Sequence, residues 1–117
     1  LVAFAGAGHW AAAARAMAGS AVAAGVIDTA GFRFGDVRDL RHPDFLPGGA
    51  KYFDLPGLLA IGVPGDLCLL GEPGSDLAVV REAYAAGQAE DRLATASAEA
   101  PATRAAAIRW LLRSRPD

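Results

Sequence analysis

Apolar positions along the chain fall into two kinds of pattern. Four short segments, LVAFA (1–5), GVID (25–28), DLCLLGE (66–72) and RLATAS (92–97), have strand length and are bounded by glycine or polar residues, as buried strands of a parallel sheet are. Elsewhere the apolar positions take helical spacing. Trp10, Ala13, Ala14 and Met17 fall at i, i+3, i+4 and i+7, which predicts one helix face, with Gly19 suited to its C-terminal end. Leu77, Val80 and Tyr84 predict a second helix running to Gly87, with Asp76 as N-cap. Pro101 opens a last helix with Ile108, Leu111 and Leu112 as its stripe. LPGLLAIG (55–62) reads as one short helix with Pro56 in its first turn.

This alternation predicts an α/β fold: a mostly parallel sheet of about four strands with helices on both faces. The 117 residues suit one domain, 1–117. Residues 29–57 interrupt the alternation with three prolines and five glycines. That stretch is longer than most connections, so it is expected to be a functional loop or an excursion with short helices. Phe32, Phe34, Phe45, Tyr52 and Phe53 cluster there and are expected to anchor it to the sheet. No internal repeat is visible.

The first residues already read as a strand, and the chain starts at Leu1. Leading residues are therefore expected upstream, or the chain is a piece of something larger. One side of LVAFA is expected to be an uncovered sheet edge, which pairs readily with another chain. A homodimer follows. The alternative is a monomer whose further strands come from the full-length protein.

Apolar residues make up 53% of the chain, enough for a core but one thinned by alanine. The net charge of −2 and the lack of a basic cluster give no case for nucleic acid. No apolar run reaches the ~18 residues of a membrane span. Cys68 is the single cysteine; with no signal-peptide pattern, a reducing, cytoplasmic setting is expected. Cys68 should be buried and inert.

Chemistry is concentrated around GAGHW (6–10). Gly6-x-Gly8-x-x-Ala11 follows a strand and opens a helix, and Asp28 lies 22 residues after Gly6. That spacing matches a dinucleotide-binding turn. Two features weigh against it: the chain has too few strands, and His9 and Trp10 crowd the turn. A strand, a small-residue turn and a helix also match a nucleophile elbow. The elbow can centre on Ala5 or on Gly6, and neither can attack anything.

The phrase DFLPGGAKYFDLPGLLA (44–60), followed by a strand and GE, resembles the C-terminal half of α/β-hydrolases of the acetyl-xylan esterase and dienelactone hydrolase branch. The resemblance runs from the elbow strand to the last helix. It implies a truncated α/β-hydrolase-like three-layer fold and, by family habit, ester hydrolysis by a Ser/Cys–acid–His triad, with decorated carbohydrates among the substrates. Carried over residue by residue, the acid falls on Glu72 or Asp76. The nucleophile position holds Ala5 or Gly6. The histidine position, in ASAEAP, offers Ser97 and Glu99 but no His. The oxyanion-hole loop would belong to the absent half. Triad chemistry is excluded, since no base stands near a nucleophile.

What remains is water activated by other groups. His9, His42 and Asp44 are the metal-ligand candidates, with Asp28 fourth, for a divalent ion such as zinc or manganese. His42-Pro43-Asp44 would place two donors on one side of an extended stretch. Against this, His9 could simply cap its helix or pack on Trp10, and His42 could be a solvated loop residue. Asp28, Asp36, Asp39, Asp44, Asp54 and Glu72 also gather on the predicted site side. Asp28 and Glu72, at strand ends, are the candidate acid and base for a glycosidic bond. The plainer reading makes Asp36 and Asp39, interleaved with Arg33, Arg38 and Arg41, a solvated charged face. The leading expectation is a triad-less, metal-assisted hydrolase of a glycoside or ester. The rival is a non-catalytic pseudo-hydrolase piece that binds a small ligand or assembles.

Overall fold

In the computed structural model, residues 1–96 and 101–113 are described. Strands β1 (Val2–Ala3), β2 (Ala24–Asp28), β3 (Asp66–Leu70) and β4 (Leu93–Ala96) form one sheet in the order β1-β2-β3-β4. Every pairing is parallel, with Val2 opposite Val26, Val26 opposite Cys68 and Cys68 opposite Ala94. Helices α1 (Gly8–Ala18), α2 (Asp54–Ile61) and α3 (Ala78–Ala86) make the three crossovers, and α4 (Pro101–Arg113) follows β4. The protein is an α/β fold with an all-parallel four-stranded sheet.

Sequential strand order has a packing consequence. Crossovers of one hand stack their helices on one side of a sheet. Accordingly Ala3, Ile27, Leu67 and Leu69 share a cluster with Ala11 and Ala12 of α1, Leu55 and Leu59 of α2, and Val80 and Tyr84 of α3. The alternate strand positions Val26, Cys68 and Leu70 form a second cluster with Ala107 of α4, against which Trp110 and Leu111 pack. Cys68 is buried, as expected, and burial raises its thiol pKa.

Three elements differ from the sequence expectation. β1 is shorter, because the chain leaves extended geometry at Ala5 (φ 53°). α1 buries Gly8, His9, Ala11, Ala12 and Arg15 rather than the face of Trp10 and Met17; Met17 is 90% exposed. Alanine on every side gave that helix little contrast, so its two large apolar residues misled. In α4, Ala107 is buried and Leu112 exposed, which turns the stripe by part of a turn. The N-cap position of α3 also falls on Leu77 rather than Asp76, which lies in the 3-10 turn Gly74–Leu77 ahead of that helix.

The long connection 29–57 is ordered by specific ties. Phe34 is 4% exposed and Phe32 packs beside it, with ring centroids 5.0 Å apart. Tyr52 and Phe53 do not anchor anything; they are 83% and 73% exposed. They belong to a run of three left-handed residues, Tyr52, Phe53 and Asp54, with φ of 53°, 71° and 55°. Each such residue costs about 1 kcal/mol or more.

Candidate functional site

The β1–α1 turn is a strained strand-to-helix corner. Ala5 and Gly6 both have positive φ, 53° and 90°. The corner is tight because α1 starts hard against the end of β2. A Cβ on Gly8 would lie 2.0 Å from the Asp28 carbonyl oxygen, so only glycine fits there. Neither the Ala5 methyl group nor Gly6 offers a nucleophile at this corner.

His9, on the first turn of α1, is 4% exposed. Its ring stacks on Phe32 with centroids 3.9 Å apart and planes 17° apart. Its Nε2 lies 2.8 Å from Asp44 Oδ1. A carboxylate only accepts, so Nε2–H donates. The Trp10 indole N–H donates to the same oxygen at 3.1 Å. His42 Nδ1 accepts the Asp44 backbone N–H at 3.1 Å and lies 3.9 Å from Asp44 Oδ2. The hydrogen bond from His9 holds the Asp44 carboxyl below its usual pKa of 3.8, with smaller help from Trp10 and from the charges of His9 and His42, against a desolvation cost.

The three metal-ligand candidates are thus neighbours, but their donor atoms face one another. His9 Nε2 carries the proton given to Asp44. His42 Nδ1 is engaged in accepting the Asp44 backbone N–H. One Asp44 oxygen already receives two donors. His9 Nε2, His42 Nδ1 and one Asp44 oxygen are therefore spent on bonds within the cluster. Among the described residues, no three His, Cys, Asp or Glu side chains form a group that could hold a metal ion. Among the described residues, no hydrogen bond or ion pair joins the Asp28 side chain, the fourth candidate, to the three.

Asp28 and Glu72, the candidate acid and base, sit at the carboxyl ends of β2 and β3, each with its own partners. Asp28 is 5% exposed. Its Oδ1 accepts the Ala30 N–H at 3.0 Å, and its Oδ2 lies 3.8 Å from Arg104 of α4. The Glu72 carboxylate, 2% exposed, is gripped by both Arg33 nitrogens at 3.0 and 2.6 Å. It also accepts the Thr29 hydroxyl. That grip raises the Arg33 pKa above its usual value, Glu72 being the largest cause. Asp76, the other candidate acid, lies 3.4 Å from Arg33 Nη2.

The remaining acids divide. Asp36 and Asp39 are exposed, as are Arg38 and Arg41, in keeping with a solvated charged face. Arg33 leaves that face for Glu72. Asp54 accepts backbone N–H groups from Phe34, Gly35 and Leu55 at 2.8, 2.9 and 2.6 Å, tying the two ends of the connection together. Ser97 and Glu99 lie outside the described residues.

Sequence reasoning missed Arg15. It is 1% exposed, and its guanidinium donates to the carbonyls of Leu59, Gly62 and Gly65 and to the Tyr84 hydroxyl at 2.8 to 3.3 Å. The available signal was its place at i+3 and i+4 from Ala12 and Ala11, on the small-residue face. No protein-family model, curated protein or solved structure matches this chain. No helix among the described residues is long and apolar enough to cross a membrane.

Proposed function

We propose that the chain is a catalytically silent α/β-hydrolase-like module that binds or assembles rather than turns over substrate. One observation carries this reading. The candidate acid and base and the candidate metal-binding carboxylate are all already bonded: Glu72 by Arg33 and Thr29, Asp28 by the Ala30 N–H, and Asp44 by His9 and Trp10. The corner that would lift a nucleophile holds Ala5. Parallel strands in sequential order and a core divided into two clusters support the hydrolase-like, both-faces part of the proposal. The free side of β1, with Leu1 and Val2 each 42% exposed, supports a homodimer formed along that edge.

Metal-assisted hydrolysis of a glycoside or ester is the second reading. It is favoured by the meeting of both imidazoles at Asp44, and it requires the His9–Asp44 bond to open. One assay separates the two. Purified protein is desalted after equilibration with zinc or manganese, then assayed on a broad ester and glycoside panel. No retained metal and no turnover is the expected result. Stoichiometric metal with turnover abolished by a chelator and by His9→Ala overturns the proposal in favour of the hydrolase.

A further inference from the structure

We infer that the groove beside α2 is a preformed site for a small apolar anion, an aromatic or fatty carboxylate. The groove holds about 440 Å³ between Leu46, Pro47, Leu58, Ile61 and Val79, within the range of small-molecule sites. Tyr52 and Phe53 stand at its rim, and Ile61 is 63% exposed. The rings are not exposed through slackness of the chain. They sit on the left-handed run Tyr52–Asp54, and the Asp54 carboxylate fixes that run through three backbone N–H groups. Gly57 presses against it from α2, where a Cβ would lie 2.0 Å from the Tyr52 carbonyl oxygen. A strained turn held from both sides, displaying two aromatic rings beside an apolar hollow, is a binding device rather than a packing element.

The charge at the rim names the ligand class. Lys51 is the chain's only lysine. Its ammonium lies 5.9 Å from the Tyr52 ring centroid, and no carboxylate pairs with it among the described residues. Asp54, the one acid on the lining, is taken up by its three N–H donors. An apolar hollow beside one unpaired cation selects an apolar body carrying a carboxylate. The groove shares no residue with the strand-end cluster. The inference deepens the reading of a binding module and rests on it only in expecting binding without turnover.

Calorimetric titration with 2-naphthylacetate and with its neutral amide tests the assignment. Saturable one-to-one binding of the acid, tighter than that of the amide, is expected. Lys51→Gln should weaken the acid about tenfold, the loss of one charge-assisted hydrogen bond, and leave the amide unchanged. Ile61→Glu, at an exposed position, should abolish binding of the acid. No saturable heat up to about 1 mM ligand, equal affinity for acid and amide, or indifference to either substitution overturns the assignment. So does a dimer in sedimentation that Phe53→Ser dissolves, since a second copy would then fill the groove. Turnover in the ester and glycoside panel would sink the silent-module reading while leaving these titrations intact.

Discussion

At the amino ends of the strands Arg15 meets only neutral acceptors, whereas at the carboxyl ends Arg33 and His9 meet carboxylates. Both arrangements clamp a connection to the sheet. Arg15 gathers Leu59, Gly62 and Gly65, the chain that leads from α2 into β3. Glu72 and Asp44 hold two points on the long connection after β2. The difference lies in what can loosen each clamp. A guanidinium on carbonyls does not titrate in any accessible range. A carboxylate clamp loses its charge in acid.

The largest expected effect breaks the neutral clamp. Arg15→Ala removes four hydrogen bonds, orphans buried carbonyls and leaves a cavity. It should cost about 4 kcal/mol and lower the melting temperature by roughly 15 °C. The loss should be the same from pH 5 to pH 8, checked by urea unfolding at each pH. A loss that varied across that range would mean Arg15 has a titrating partner. The limit of this clamp is alkaline. Burial raises the Tyr84 pKa above its usual 10.0, outweighing the opposing Arg15 charge. Folding therefore gains from the neutral phenol. That gain is fully present below pH 10 and is lost as pH rises through the higher folded value.

Glu72→Gln comes next. It leaves the Arg33 guanidinium, only 17% exposed, with Asp76 as its remaining acid at 3.4 Å. A cost of about 2 kcal/mol is expected, smaller than for Arg15 because the amide still accepts one bond and Asp76 partly compensates. The measurement is again a denaturant midpoint. An unchanged midpoint would show that the Arg33 grip is matched by its own desolvation.

These contrasts mark where sequence reasoning reached and where it stopped. All four strands and all four helices were legible, because β-branched or leucine-rich runs and helical spacing carry that information locally. The meeting of His9, His42 and Asp44 was partly legible, since two of them share a tripeptide. Three things were not. Arg15 reads as a solvent-facing charge until the carbonyls of Leu59, Gly62 and Gly65 are brought together from 44 to 50 residues away. The engagement of Glu72 depends on Arg33, 39 residues earlier in the chain, and charge alternation alone placed that arginine on the surface. The left-handed run at Tyr52–Asp54 carries no glycine of its own, so no local signal marks it; its cause lies in Gly57 and in the amides that Asp54 collects.

The smallest effect sharpens the comparison most, because it isolates titration from packing. The Asp44 pKa lies below 3.8, chiefly through the His9 hydrogen bond. A depressed carboxyl pKa gives stability that is fully present above the unfolded value and disappears as pH falls through the folded one. The window therefore lies below pH 3.8. Trp10 donates to the same oxygen, so its fluorescence reports the event when Trp110→Phe removes the second indole. In that background the emission should shift below about pH 4 as Asp44 is neutralised. Asp44→Asn should abolish the shift, with only a slight change in global stability, because the pair is partly open to water. Amides of residues 39–46 should then exchange faster than those of residues 59–65, which the Arg15 clamp holds. Equal acceleration in both segments would mean that the two ends of the sheet open as one unit, and the distinction between a titrating and a non-titrating clamp would fail.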